Sequence, residues 1–201
     1  MGQEHTAHIE DKLPWDYREE TVMFWNSRGT RAKSFPSLVR EIKRHYQIDF
    51  LAILETRCDK REVKNRTKKL GFHAYEIIDV EGYSGGIWCL WERSVQHVTI
   101  LEKNPQFMHV RVGNSQGLSW EMTIIYAHPN AMVRQQLWGE LSRLSRNMLG
   151  AWILRGDFNA TLLAADRRSV AKHKLSSDKD FITWFDQSHL HDLGYRCPEF
   201  T

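Results

Sequence analysis

Four short stretches of this sequence run apolar and then stop at a group able to bind a metal ion or a phosphate. They are Phe24-Trp25-Asn26, Leu51-Ala52-Ile53-Leu54-Glu55-Thr56, Ile125-Tyr126-Ala127-His128-Pro129-Asn130 and Leu154-Arg155-Gly156-Asp157-Phe158-Asn159. Hydrolysis of a phosphodiester needs a metal to neutralise the phosphate, a group to activate water, and donors for the non-bridging oxygens. Carboxylate and amide oxygens suit magnesium, which keeps several waters and needs only one or two protein carboxylates. Glu55, Asn26 and Asp157 fall where a strand would end, and α/β folds tend to place their sites at such ends. Taken singly, Glu55 is an ordinary strand-end acid and Asp157 a good turn residue after Gly156. Their order together points to a metal-dependent phosphodiesterase.

The elements that must position these groups are legible in the apolar spacing. Residues 22–25 read as a short buried strand, and 50–54 as a strand covered on both sides. Between them Ser34 is placed to cap a helix over 36–46, with Pro36 in its first turn and Leu38, Ile42 and Tyr46 on one face. A second helix over 60–70 turns Val63 and Leu70 inward and Arg61, Lys64 and Lys68 outward, and Gly71 stops it. From 73 to 126 the period is two: Met108, Val110 and Val112 alternate, as do Trp120, Met122, Ile124 and Tyr126, and Gly113-Asn114 suits a hairpin turn. Pro129-Asn130 then opens a helix carrying Val133, Leu137, Leu141, Leu144 and Met148. Residues 152–154 form a short strand, 160–177 a basic loop, and 181–185 mark a last helix. No Gly-rich phosphate loop follows a strand, so a plain doubly wound nucleotide fold is excluded.

The 201 residues suit one domain, with eight Trp and nine Phe to fill its core. No apolar run approaches the roughly 20 residues that span a bilayer, and no secretory signal is visible. The expectation is therefore no membrane partner. Cys58, Cys89 and Cys197 form no C-x-x-C pair and no zinc spacing. They read as reduced thiols, which places the chain in the nucleus or cytoplasm. Residues 1–20 hold six acids and two bases, so the net charge of +3 leaves +7 on the remainder. That leader reads as disordered or divergent, and the mildly basic body suits a polyanionic partner.

Several longer stretches carry a family likeness: Trp25-Asn26-Ser27-Arg28-Gly29, Leu54-Glu55-Thr56-Arg57, Gly82-Tyr83-Ser84-Gly85-Gly86-Ile87-Trp88, Tyr126-Ala127-His128-Pro129-Asn130, Gly156-Asp157-Phe158-Asn159 and Asp192-Leu193-Gly194. From about residue 22 onward the chain resembles the endonuclease/exonuclease/phosphatase, or DNase I-like, family. It looks most like the apurinic-type endonuclease domain of plant non-LTR (LINE-type) retrotransposons, which accompanies a reverse transcriptase. The resemblance implies a four-layered α/β sandwich, two mixed β-sheets flanked by helices, over 21–201. It implies Mg2+ (with Mn2+ as a substitute) held by Glu55 with support from Asn26, and no small-molecule cofactor. It implies that Tyr126 donates to the scissile phosphate, that Asp157 orients or activates the attacking water, and that Asn159 holds a phosphate oxygen. The partner implied is DNA, one strand of which is nicked to leave a 3′-hydroxyl. Arg57, Arg61, Lys64, Lys68, Arg167 and Arg168 are the candidate contacts to its backbone.

Two departures qualify that expectation. Tyr126 is followed by Ala-His-Pro-Asn, one residue longer than the Tyr-x-Pro-Asn of many repair enzymes, a length that looks like the plant retroelement form. The family closes with strands carrying Ser-Asp-His, and that triplet does not occur here. The expectation is a domain missing its C-terminal strands, with activity impaired or lost. The alternatives are a non-catalytic nucleic-acid-binding remnant and a phosphatase of the same fold.

Overall fold

The computed structural model describes residues 20–79, 85–95, 97–113, 119–162 and 179–194. Most of the leader, Gly113-Asn114 as a turn, the basic loop with Arg167 and Arg168, and Cys197 fall outside them. The described residues form two four-stranded mixed sheets with helices on their outer faces. In the first sheet the order is β1 (Val22–Asn26), β2 (Phe50–Leu54), β4 (Ile87–Trp91) and β3 (Ala74–Ile78). In the second, β5 (His97–Asn104), β6 (Phe107–Gly113), β7 (Ser119–Tyr126) and β8 (Trp152–Asp157) lie side by side. Within each sheet one edge pair is parallel, β1 with β2 and β7 with β8, and the other pairs are antiparallel.

Period-two alternation builds the layer between the sheets. Phe50, Ala52 and Leu54 of β2 and Ile87 and Cys89 of β4 face Met108, Val110 and Val112 of β6 and Met122, Ile124 and Tyr126 of β7. The opposite faces of the strands are also apolar, because helices cover them. Leu51, Ile53, Trp88 and Leu90 pack under α1 (Phe35–Tyr46) and α2 (Lys60–Lys68). Phe107 and Ile125 pack under α3 (Ala131–Ser145) and α4 (Lys179–Gln187). Burial on both faces is why β2 reads as one continuous apolar run, and each such side chain contributes about 1.5–3 kcal/mol. No helix among the described residues is long and apolar enough to cross a membrane.

Several details differ from the sequence expectation. The buried stripe of α1 is Phe35 and Val39 with half-buried Ile42, while Leu38 and Tyr46 are exposed. Three apolar residues four apart fix a face only to within one position, and Phe35 and Val39 compete for it. Ser34 stands at the N-cap but makes no side-chain cap bond, whereas Asp59 and Asn130 cap α2 and α3 through their carboxylate and amide oxygens. β1 is half-buried rather than buried, since it lies at a sheet edge. Val133 is exposed, and Trp138 takes a core place on α3 beside Leu137, Leu141 and Leu144. Val63 and Leu70 face inward, Arg61, Lys64 and Lys68 face solvent, and Cys58 and Cys89 are free thiols.

A buried polar ladder crosses the outer face of the second sheet. His109 is 2% exposed; its Nδ1 lies 3.0 Å from Thr123 Oγ1 and its Nε2 3.0 Å from Glu121 Oε2. Arg111 donates to the other Glu121 oxygen, and Trp152 Nε1 donates to Thr123 Oγ1 at 2.8 Å. Burial lowers the His109 pKa below the ordinary 6.5, and the negative charge of Glu121 opposes that shift without cancelling it. A folded-state pKa below the unfolded one means that the unfolded chain binds more protons as pH falls. This contribution is therefore whole above about pH 6.5 and is lost as the pH drops toward the folded-state value. The melting temperature is expected to fall between about pH 7 and pH 5, and His109→Gln to flatten that fall. An equal pH dependence in the wild type and His109→Gln, by thermal melts, would contradict the assignment.

Candidate active site

The two parallel pairs bring four strand ends to one rim. β1 and β2 run together in register from Val22↔Phe50 to Asn26↔Leu54, so Asn26 and the following Glu55 leave the first sheet side by side. β7 and β8 run together to Tyr126↔Asp157, which delivers those two side chains from the second sheet. The sheets meet here through one hydrogen bond: Asn26 Nδ2 donates to Asp157 Oδ2 at 2.7 Å. The other carboxylate oxygen, Oδ1, accepts the Asn159 backbone N–H at 3.0 Å. Asn159 Nδ2 in turn donates to the Ala127 carbonyl at 2.7 Å, and Ala127 N–H donates to the Asp157 carbonyl at 2.8 Å. Asp157 is thus gripped from both sheets, and Asn159 fixes the turn that carries it.

Local backbone conformation concentrates at the rim. Among the described residues six non-glycine positions have positive φ, and four of them lie here: Arg28 (51°), Glu55 (54°), Arg57 (46°) and Asn159 (46°). Asn tolerates this region, whereas Glu and Arg do so at a cost that surrounding structure must offset. The offset is visible. Ser27 N–H donates to the Leu54 carbonyl, and Thr30 bonds the Thr56 carbonyl through both its N–H and its hydroxyl. Arg66 Nη1 donates to the Thr30 carbonyl at 2.9 Å. Gly156 is required on different grounds. Its φ is 149°, and a Cβ there would sit 1.9 Å from the Ile125 carbonyl oxygen.

Two carboxylates, Glu55 and Asp157, share the rim with the guanidiniums of Arg28 and Arg57. Glu55 is 9% exposed, and its Oε1 carries the Arg57 guanidinium as an ion pair. Its Oε2 has no hydrogen-bond partner among the described residues. Burial raises the Tyr126 pKa, and the charges of Glu55 and Asp157 raise it further. The phenol therefore keeps its proton and remains a donor. A cleft of about 570 Å3 opens beside Asn26 and Asp157, with Leu54 and Asn159 also in its lining; Glu55 and Tyr126 do not line it. Hard oxygen donors around a position already attracting a guanidinium fit a magnesium ion. No cluster of three or more His, Cys, Asp or Glu residues that could hold a metal ion forms among the described residues.

The sequence-derived candidates divide accordingly. Asn26, Glu55, Tyr126, Asp157 and Asn159 come together. Asn26 meets Asp157 through its amide nitrogen, while its Oδ1 accepts the Arg28 backbone N–H at 3.3 Å. Arg57 is held on Glu55. Arg61, Lys64 and Lys68 stand on the solvent face of α2, with Arg61 3.5 Å from the capping carboxylate of Asp59. Arg167 and Arg168 lie outside the described residues. Sequence reasoning missed Gln106. Its backbone carbonyl accepts the Tyr126 N–H, its Oε1 accepts the His128 N–H at 2.8 Å, and its Nε2 donates to the Val133 carbonyl. It clamps the segment that presents Tyr126, and nothing in a Gln after Pro105 signals that.

The sequence profile described as Endonuclease/Exonuclease/phosphatase family matches residues 23–201. No curated protein matches in sequence. Among solved structures, the chain is similar to the endonuclease domain of TRAS1, a telomere-specific non-LTR retrotransposon, at TM-score 0.63 and 14% identity, covering 88% of this chain and 76% of that one. An AP endonuclease from Archaeoglobus fulgidus gives 0.60 and 14%, covering 85% and 70%. A 3′ phosphatase from Neisseria bound to a product DNA hairpin gives 0.59 and 15%, covering 85% and 70%. At these identities the likeness is one of fold.

Adding a Cβ at Gly156 must push the β7 and β8 backbones apart beneath Asp157. Gly156→Ala is expected to destabilise the chain by about 3 kcal/mol. Gly150→Ala, where a Cβ meets nothing within 4 Å, should change stability by about 0.5 kcal/mol or less. Urea unfolding of both variants measures this, and equal midpoints would contradict the close approach.

Proposed function

The chain belongs to the endonuclease/exonuclease/phosphatase family, and on that premise we propose that it is a magnesium-dependent phosphodiesterase that nicks one strand of DNA and leaves a 3′-hydroxyl, derived from a LINE-type retrotransposon endonuclease. The observation that carries the reading is the Asn26–Asp157 hydrogen bond, which joins the strand ends that carry Glu55, Tyr126 and Asp157 at one rim from two sheets. Glu55 is the residue that would hold magnesium, with Asn26 supporting the region. The ion, when bound, supplies charge neutralisation at the phosphate.

The remaining steps belong to the chain's own groups. Tyr126, held protonated, donates to a non-bridging oxygen. Asp157, with one hydrogen bond on each oxygen, is oriented so that its remaining lone pairs face the cleft and a water poised for in-line attack. Asn159 keeps that orientation. Arg57, paired with Glu55, would be free to meet a DNA phosphate were a cation held at Glu55 in its place. Residues 1–201 contain no Ser-Asp-His triplet. For this 201-residue chain acting alone we propose turnover reduced by roughly 10²–10⁴, the usual contribution of a general acid or base. A second reading, a nucleic-acid-binding remnant, draws on the exposed face of α2, where Arg61, Lys64 and Lys68 stand together.

Nicking of supercoiled plasmid tests the proposal. Slow nicking is expected that stops in EDTA and falls by at least about 10²-fold in Glu55→Ala. Nicking that persists in EDTA or in Glu55→Ala would contradict it. Folded protein that binds DNA without nicking would leave the remnant reading in its place.

A further inference from the structure

At the opposite end of β2 from Glu55 lies a groove of about 900 Å3, which the rim chemistry does not use. The two sites are separated by roughly 20 Å, six strand steps of about 3.3 Å each. Arg40 and Arg44 line it from α1, His73 from the entry to β3, and Arg93 from the turn after β4. Its acids are already engaged. Glu92 is paired with Lys43, and Asp49 accepts from Ser94 Oγ at 2.6 Å and from the Thr21 N–H. Its arginines bond neutral groups only. Arg40 donates to the Lys69 carbonyl and Ser37, Arg93 donates to His73 Nδ1, and none of Arg40, Arg44 and Arg93 has a carboxylate partner among the described residues.

The last-turn cations of α1 also complement the helix dipole. That accounts for Arg44 but not for Arg93, which belongs to another element and lines the same groove. The groove is also longer than a single anion needs. A second cleft of about 350 Å3 shares His73, Glu92 and Arg93 and continues to His97 on β5. The result is a track that passes from one sheet to the other. On the last turn of α1, Tyr46 is 59% exposed, with its ring edge-on to His45 at 4.6 Å.

We propose that this track binds single-stranded nucleic acid, independently of the catalytic rim. Guanidiniums without carboxylate partners, spaced along a groove, meet successive phosphates, and two residues along the chain from Arg44, outside the lining of both clefts, the exposed Tyr46 ring offers a platform for an unpaired base. A duplex keeps its bases stacked inside and has no use for Tyr46. The groups here read phosphate and base faces, which DNA and RNA share, so either strand fits.

The test is fluorescence anisotropy of a short fluorescein-labelled single-stranded DNA in EDTA, where no cleavage occurs. The wild type is compared with Arg44→Glu/Arg93→Glu, two exposed positions, with thermal melts to establish that both proteins are folded. The variant is expected to bind at least tenfold more weakly. The slope of log affinity against log salt should be shallower by about 1.4, at about 0.7 for each phosphate no longer neutralised. Tyr46→Ala should weaken binding without changing that slope, and single-stranded RNA of the same sequence should show the same losses. Arg146→Glu, an exposed position at the end of α3 that lines neither cleft, should leave single-strand binding unchanged. Wild-type affinity in Arg44→Glu/Arg93→Glu would overturn the proposal. So would a blunt duplex that binds as tightly as the single strand and loses as much in that variant.

Discussion

At the rim, a hydrogen bond from the Asn26 amide to the Asp157 carboxylate ties together two sheets that share no strand, and at their other edge Lys103 of β5 pairs with Glu76 of β3. Apolar packing between the sheets is non-directional and sets only their separation. A bond of 2.7 Å with defined geometry sets how their rims line up. Glu55 then has a fixed relation to Tyr126 and Asp157, because each sheet carries its own pair rigidly: Asn26 and Glu55 on the β1–β2 pair, Tyr126 and Asp157 on the β7–β8 pair. A partly buried bond to a charged acceptor is worth roughly 1.5–3 kcal/mol, small beside the core. Its consequence for the site is larger than that figure, since displacing a reacting group by about 1 Å is enough to impair catalysis.

The electrostatics follow from the same convergence. Two carboxylates and a phenol share a rim with limited access to water, so burial and negative charge together hold Tyr126 protonated. The Arg57 guanidinium offsets part of the negative charge by sitting on Glu55. Positive φ at both Glu55 and Arg57 bends the chain back on itself after β2 and lets residues two apart meet. In an extended strand, side chains two apart stand on the same face but diverge into solvent at its end. The strained backbone is thus the means by which a strand-end acid is turned onto the Arg57 guanidinium, and Thr30, Thr56 and Arg66 are the scaffold that maintains it.

Much of this was readable in the sequence, for identifiable reasons. The continuous apolar run at β2 and the alternation through β6 and β7 imply strands mixed with helices, and the four-layered sandwich is what the family resemblance implies. Asn26, Glu55, Tyr126, Asp157 and Asn159 stand out because each interrupts an apolar run at its end. The inward face of α1 was not readable to better than one residue, because Leu38, Ile42 and Tyr46 make as regular a stripe as Phe35, Val39 and Ile42. Long-range partners were not readable at all. Asn26 and Asp157 are 131 residues apart, and the bond between them arises from the packing of two sheets. Gln106 lacks any local signature, and Arg93 looks like an ordinary turn residue until the fold sets it beside Arg44.

The central claim is that Asn26 and Asp157 act as one unit across the two sheets. A double-mutant cycle on magnesium-dependent plasmid nicking, with Asn26→Ala, Asp157→Ala and the pair, tests it most directly. Groups that work as a unit give strongly non-additive losses. The account predicts that the double variant nicks about as slowly as the worse single variant. Losses that multiply, so that each residue contributes the same factor whether or not the other is present, would contradict it.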